Sequence, residues 1–477
     1  MQTQKRSKLF IENILVYGLG GMISKFIPLI MLPIILRLYP NKSFMGLNDL
    51  SHNFISFAAA LAVCGLYDAM FRLFFDSKSK EWQQKVCSTA FLFVSGTSLV
   101  LFSICMLLRK AIATLYFDDI QYVSLTVVTV IGFLVSATNQ IVSAPTRIQN
   151  KRKVFLVTNT VSPFISYAIA VPLILKGYYV MAMPIAAVVA GVTLELAFMV
   201  MNRSYINLKS FDGKVLKELL KIGLPLLPNF LIYWVYNSSD KWMINKILNA
   251  EETGTYAVAS RIGHISNLIY TAFAGGWLYF AYSTMDDEDQ VQMKSRLFEY
   301  MGAISFMATV GLMSVSKLLF TLAFPEDYLA GYLVAPYLFL APLSMMLYQI
   351  LANQFSIVKK TYMNLLTLTF GAVLNVVLNL LLIKRIGIEG ASIATMIGYL
   401  VSILMCIFWL HRMKLIAITK KTVINFSILA VYFVLWRLRF HSSFVLSFVT
   451  GMAVVGIYVL LYKEMLLGIL KKRRKKA

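Results

Sequence analysis

Apolar stretches follow one another along this 477-residue chain, each long enough to match the thickness of a bilayer core. A helix needs roughly 20 apolar residues to cross the hydrocarbon. Fourteen such stretches can be read: residues 11–37, 46–73, 85–108, 121–146, 153–175, 178–202, 219–245, 254–283, 296–321, 331–356, 362–383, 389–410, 422–437 and 443–462. Inside lipid the backbone must satisfy its own hydrogen bonds, so stretches of this kind predict helices and leave no room for an open sheet. Hydrophobic residues are 59% of the chain and charged residues 14%, against about 45–50% and about 25% in soluble domains. The expected fold class is an all-α integral membrane protein of about 14 transmembrane helices, and a soluble class is excluded.

The charges predict an orientation. A net charge of +23 would suit nucleic acid if it covered one face, but here Lys and Arg alternate between loops. With the N-terminus inside, one set of loops carries 31 of them and the opposite set 12, leaving Lys25 and Arg261 within spans. Such an asymmetry follows the positive-inside rule and places both termini in the cytoplasm with an even number of spans. The basic run KKRRKK at 471–476 then faces anionic headgroups, so membrane lipids are expected partners and nucleic acid is not. The opening MQTQKRSKLF precedes a long apolar stretch without a small-residue cleavage site, which reads as an uncleaved first helix. Four cysteines (Cys64, Cys87, Cys105, Cys406) and four histidines (His52, His264, His411, His441) are scattered, so no disulfide framework, metal site or cofactor is expected. No loop is large enough to house a soluble active site, and the chain is not expected to be an enzyme.

One pattern occurs twice. Residues 216–283 hold two spans, with Pro225 and Pro228 opening the first. A polar loop at 249–253 and a Gly254-Thr255-Tyr256 restart lead into the second, which carries Arg261. A fainter copy at 11–75 has Tyr17-Gly18, Pro28, Pro33, a Met45-Gly46-Leu47 restart and Lys25. The offset is about 205 residues from Tyr17-Gly18 to Ile222-Gly223 and about 208 from Gly46 to Gly254. That is too long for a solenoid repeat and suits duplicated half-transporters. With six spans in each half, both repeats begin on the same side and are parallel around a central cavity. The expected division is a six-helix lobe at 1–210, a second at 211–416, and two extra helices with the basic tail at 417–477. The link from Arg203 to Lys221 reads as a surface amphipathic helix.

Ionisable residues inside spans cost several kcal/mol in hydrocarbon and tend to face the bundle interior or a wet cavity. Lys25 and Arg261 are the foremost candidates for substrate binding, since a guanidinium fork suits phosphate or pyrophosphate. The alternative is an internal salt bridge with Asp49, Asp240 or Glu195. Arg72 could receive a phosphate at a cavity mouth or pair with Asp68 at i, i+4, and Asp240-Lys241 is equally open. Asn229, Tyr233 and Tyr236, with Asn139 and Gln140, could hydrogen-bond sugar hydroxyls or bind helices together. Glu195 and Asp49 are candidates for ion coupling, or carboxylates with polar partners.

Together these residues resemble the multidrug/oligosaccharidyl-lipid/polysaccharide exporter superfamily. Within it the likeness is to the polysaccharide-transport branch of O-antigen and capsule repeat-unit flippases. The resemblance rests on the Gly-rich first helix with Lys25, Pro33 and Arg37-Leu38-Tyr39-Pro40, the Met45-Gly46-Leu47 restart, and Gly65-Leu66-Tyr67-Asp68-Ala69 with Arg72. Gly223-Leu224-Pro225 with Pro228, Asp240-Lys241 before Gly254-Thr255-Tyr256, and Gly387 to Ser392 complete it. It covers the whole chain through the order and spacing of loose motifs. The family implies a flippase that carries undecaprenyl-pyrophosphate-linked oligosaccharide from the cytoplasmic to the outer leaflet by alternating access, in the bacterial inner membrane. A polysaccharide polymerase and a chain-length regulator would be its further partners. In the related lipid II flippases, cations on the first and eighth helices line the cavity, and Lys25 and Arg261 fall on those helices. Two other classes stay open. A cation-coupled multidrug antiporter of the same fold would rely on Glu195 and Asp49. A membrane enzyme would need a long loop with paired carboxylates, which the chain lacks.

Overall fold

The computed structural model describes residues 26–463, and every regular element among them is helical. Ten of these helices are long and apolar enough to cross a bilayer, or eleven if Ser43–Val63 and Leu66–Phe74, bent by 47°, are one span. The expected count of fourteen is therefore not reached on length and apolarity. The reasons are local. The first expected span begins outside the described residues, which take it up at α1 (Phe26–Leu38). The segment expected at 254–283 is divided by a tight turn at His264–Ser266. The spans expected at 362–383 and 389–410 lie on either side of a non-helical break at Ile386 and Gly387, and Tyr362–Arg412 enters that count as one. Gly387 has φ +63°, a left-handed conformation that glycine adopts without steric cost.

The chain forms two compact units, residues 1–257 and 258–477. In the first, α2 (Ser43–Val63) and α3 (Leu66–Phe74) are separated by two consecutive left-handed residues, Cys64 at φ 50° and Gly65 at φ 70°. The long helices α4 (Lys80–Leu107) and α6 (Val123–Ile148) flank the short α5 (Arg109–Tyr116). α7 (Arg152–Leu175) and α8 (Ala182–Met201) complete the run. A shared core joins Ala62 and Leu66 to Val86 and Ala90 of α4 and to Ala137 and Ile141 of α6. The segment 203–212 is strapped to α4: Asn207 N–H donates to Ser88 Oγ at 2.9 Å and Asp212 N–H to Thr89 Oγ1 at 3.1 Å.

Asp212 then caps α9 (Gly213–Gly223), accepting from Lys214 N–H at 2.8 Å and Val215 N–H at 3.3 Å. Those bonds hold its carboxyl below the usual carboxylate range. α9 is amphipathic as expected: Val215, Leu219 and Gly223 are buried while Lys214, Lys217, Glu218 and Lys221 face out. Its path continues through Pro225 and Pro228 into α10 (Leu227–Trp234), a π-helical turn at Val235–Ser239 and α11 (Asp240–Ile247). α12 (Ala250–Gly263) begins in this unit.

Glycine lets α2 touch these elements at both of its ends. A Cβ on Gly46 would lie 2.1 Å from the Ala250 carbonyl oxygen, and one on Gly254 2.2 Å from that of Lys42. At the other end, a Cβ on Gly65 would lie 2.4 Å from the Gly223 carbonyl oxygen. Around the Gly46 contact sits a set of charges. Asp49, 4% exposed, forms an ion pair at 2.7 Å with Lys241 Nζ, itself 8% exposed. Tyr256 donates to the neighbouring Asp240 carboxylate. Asn245 and Lys246 both donate to Asp118 after α5, and Asn41 Nδ2 donates to Glu251 Oε1 at 2.9 Å.

In the second unit, α15 (Gly331–Ile357) is buried on nearly every face, as an all-round apolar helix must be. It packs against α13 (Asn267–Ser283), α14 (Gln290–Ala323) and α16 (Tyr362–Arg412). The last two helices, α17 (Lys420–Leu435) and α18 (Phe444–Leu461), lie on α14. Trp436 Nε1 donates to Ser447 Oγ at 2.8 Å, which donates in turn to the Met313 carbonyl at 3.1 Å.

Two consequences can be measured on the detergent-solubilised protein by thermal unfolding. Gly46→Ala should lower Tm, since overpacking against a backbone carbonyl costs about 1–3 kcal/mol or more. Gly96→Ala, on α4 with nothing within 4 Å, should leave it level or slightly raised. Lys241→Met strands the buried carboxylates of Asp49 and Asp240 and should cost about 3–5 kcal/mol, whereas Asp49→Asn, which leaves Lys241 beside Asp240, should cost less. The double variant should recover part of the Lys241→Met loss, and strictly additive losses would contradict the pairing.

Candidate functional site

Polar side chains inside membrane helices need partners, and among the described residues of the first unit two groups of them stand out. The first is the charged set beside Gly46. Its geometry answers one open question: Lys241 is paired with Asp49, and Asp240 is held by Tyr256. Asp49, a candidate for ion coupling, is thus committed to a cation of the same unit.

The second group lines a cleft of about 260 Å³ between α6, α7 and α8. α6 supplies Ser136, Asn139, Gln140, Ser143, Thr146 and Arg147. These positions recur every three or four residues, so they form one stripe along one helix face. α7 adds Thr158, Asn159 and Ser162 from its first three turns, and α8 closes the apolar side with Leu194 and Phe198. Asn139 Nδ2 donates to the Gly191 carbonyl at 3.4 Å, tying α6 to α8. Lower on the same pair, Asn202 Nδ2 donates to the Val142 carbonyl at 2.8 Å, and Thr146 meets Asn202 at 3.1 Å.

Several hydroxyls of the lining spend their proton on their own helix. Ser143 donates to the Gln140 carbonyl at 3.2 Å and Thr158 to the Val154 carbonyl at 2.9 Å. A hydroxyl oxygen that has donated its proton can still accept, and the amides of Asn139, Gln140 and Asn159 can both donate and accept. Arg147 closes the stripe at the end of α6, exposed, and donates to Tyr67 Oη at 3.2 Å. The arrangement can bind a hydroxyl-rich, uncharged group, with a cation at its mouth for an anion.

The residues expected from sequence are distributed differently. Lys25 lies outside the described residues. Arg261 is on α12 in the second unit, half-buried. Arg72 makes its ion pair with Asp76 rather than with Asp68. Asn229 is exposed, Tyr233 half-buried and Tyr236 2% exposed on the segment 227–239, and none of the three lines the cleft. Glu195, on α8, is half-buried with the Thr138 hydroxyl as hydrogen-bond partner and is also outside the lining. Asn139 and Gln140 do line it. Arg147, Thr158, Asn159 and Ser162 went unrecognised. Their signal was present as the recurrence of small polar residues through SATNQIVSAPTR at 136–147, where Arg147 counted only as a loop cation.

A second cavity, about 640 Å³ and mostly apolar, lies in the second unit between α15, α16 and α17. Arg437 sits at its edge and donates through Nε to Glu389 Oε1 at 2.5 Å, where the Tyr337 hydroxyl also donates at 3.3 Å.

A family model described as a polysaccharide biosynthesis protein matches residues 35–332, more than half of the chain. None of the curated proteins matches it in sequence. Among solved structures, the lipid II flippase MurJ in its inward closed conformation aligns at TM-score 0.72 and 15% identity, over 95% of this chain and 100% of that one. An inward-facing multidrug resistance MATE family transporter of the MOP superfamily aligns at TM-score 0.61 and 16% identity, over 83% of this chain and 98% of that one. An outward-facing one aligns at TM-score 0.58 and 16% identity, over 85% and 95%. At these identities the likeness is one of fold. By the match over 35–332, the chain belongs to the polysaccharide biosynthesis protein family.

Proposed function

We propose that the protein is a flippase that moves a lipid-linked oligosaccharide from the cytoplasmic to the outer leaflet for surface polysaccharide synthesis. The observation that carries this reading is the polar cleft: hydroxyls and amides line one space between the long apolar helices α6, α7 and α8. Polar groups at membrane depth mark substrate paths, and these match a carbohydrate better than an apolar drug. The pairing of Asp49 with Lys241 counts against a cation-coupled drug antiporter built on that carboxylate.

In this reading the substrate is an undecaprenyl-pyrophosphate-linked repeat unit of the O-antigen or capsule type. The protein works in the bacterial inner membrane with both termini cytoplasmic, beside a polymerase and a chain-length regulator. The duplicated halves, 1–210 and 211–416, would alternate in opening a central path, with 417–477 as an accessory pair of helices. Lys25, Arg261 and Arg72 would meet the pyrophosphate, and Asn229, Tyr233 and Tyr236 the saccharide along its route.

The test is the lipid-linked glycan pool of a strain lacking the gene, sampled on both faces of the membrane. Saccharide-bearing lipid should accumulate on the cytoplasmic face while the surface polymer disappears. Wild-type protein should restore export, whereas Lys25→Ala and Arg261→Ala should not, at equal membrane levels. Normal surface glycan in the deletion strain would overturn the proposal.

A further inference from the structure

Side chains from several helices of the second unit converge on His441, in the turn between α17 and α18. From α15, the Tyr332 hydroxyl lies 2.7 Å from Nδ1 of the imidazole. From the π-helical turn at Trp436–Phe440, Arg437 places a guanidinium nitrogen 3.5 Å from Nε2. The same guanidinium donates through Nε to Glu389 of α16 at 2.5 Å, and Tyr337 of α15 donates to that carboxylate at 3.3 Å. From α14, Lys317 donates to the carbonyl of the next residue, Ser442, and lies 5.9 Å from the centre of the Tyr332 ring.

These contacts fix which nitrogen carries the hydrogen. A guanidinium has donors only and keeps its charge at every physiological pH. Nε2 beside it is therefore bare, and Nδ1 carries the hydrogen that the Tyr332 oxygen accepts. His441 is neutral in this arrangement. A proton added at Nε2 would set one cation 3.5 Å from another, with Lys317 close by. Three positive charges would then share one carboxylate, Glu389, which already holds Arg437 and Tyr337. Burial and the two cations hold the imidazole below its ordinary range, and Glu389 opposes them only in part.

We propose that His441 is an acid-sensitive latch: neutral, it holds the α17–α18 turn against α14, α15 and α16, and protonated, it releases that turn. Release bears on the apolar cavity of about 640 Å³, since Arg437 stands at its edge and α17 forms one of its walls. With Arg437 driven off His441, the cavity opens at that end. The latch does not depend on the flippase reading. In the orientation proposed above the turn lies on the outer face, so the latch answers acidity outside the cell membrane rather than in the cytoplasm.

A released turn takes up the proton with the ordinary imidazole pKa of about 6.5, and the closed turn takes it up more weakly, so acid favours release. From pH 7.5 to pH 5.5 the open population should rise by up to about tenfold. The test is hydrogen–deuterium exchange on the full chain in nanodiscs at these two pH values, corrected for the intrinsic pH dependence of amide exchange. Peptides covering 436–447, where His441 N–H donates to the Trp436 carbonyl at 2.9 Å, should exchange up to about tenfold faster in acid, because exchange follows local opening. Peptides of α6 should not change. His441→Gln keeps an amide between Tyr332 and Arg437 but takes up no charge, and it should remove the acid response. Arg437→Gln removes the cation beside Nε2 and should shrink the acid response severalfold, whatever it does to the exchange rate at pH 7.5. Equal exchange of 436–447 at both pH values in the wild-type chain would overturn the latch. So would an acid response that survives undiminished in both variants.

Discussion

α2 lies against α12 at one end and against Gly223 at the other because no side chain stands between the backbones. A Cβ at Gly46 would meet the Ala250 carbonyl at 2.1 Å, and one at Gly65 the Gly223 carbonyl at 2.4 Å. Membrane helices lack a hydrophobic force to drive them together, so close approach at small residues is a main source of their packing. Here it also fixes register. Only with Gly46 seated on Ala250 does Asp49 come to Lys241, and only with that pair formed is a buried charge tolerable at either position. The same seating brings Asn41 to Glu251. A shift of α2 by one turn, about 5.4 Å, would undo the whole set.

Polar groups in this unit are thus divided between two tasks. Those beside Gly46 are consumed by one another: each carboxylate is paired with a Lys or hydrogen-bonded by an Asn or a Tyr. Those of the cleft are arranged side by side along α6 and α7, where Ser143 and Thr158 donate to carbonyls of their own helices. The first pattern builds a clamp and the second leaves a surface that can accept a ligand. Fold similarity to the lipid II flippase and the MATE transporters does not separate these tasks, whereas the local hydrogen bonding does.

Much of the architecture was legible in the chain. Span length and apolarity predict the helices, and the Gly46 and Gly254 restarts, noticed as copies of one another, prove to be in contact. The amphipathic pattern of 213–223 likewise reads correctly, with Val215 and Leu219 buried. What was not legible depends on register between distant segments. Nothing near Asp49 in the sequence names Lys241 as its partner, 192 positions away, and Arg72 has carboxylates on both sides with equal spacing until α3 is built. The cleft shows a middle case. Its α6 stripe repeats visibly at 136–147, but only packing shows that Thr158 and Asn159 of α7 complete it. The stretch 362–412 reads correctly: non-helical Ile386 and Gly387 fall between the two spans expected there.

The central claim is that lipid-linked saccharide crosses the membrane through this protein. The direct measurement is translocation in vesicles reconstituted with the purified chain and with saccharide-bearing prenyl pyrophosphate extracted from the host membrane. Exposure of the sugar to an impermeant periodate reagent is then followed over time. In protein-free vesicles about half of the sugar, that of the outer leaflet, should react. With the protein present, the reactive share should rise toward the whole pool. A share that stays at the protein-free level, in vesicles where the chain is folded and correctly inserted, would contradict the account.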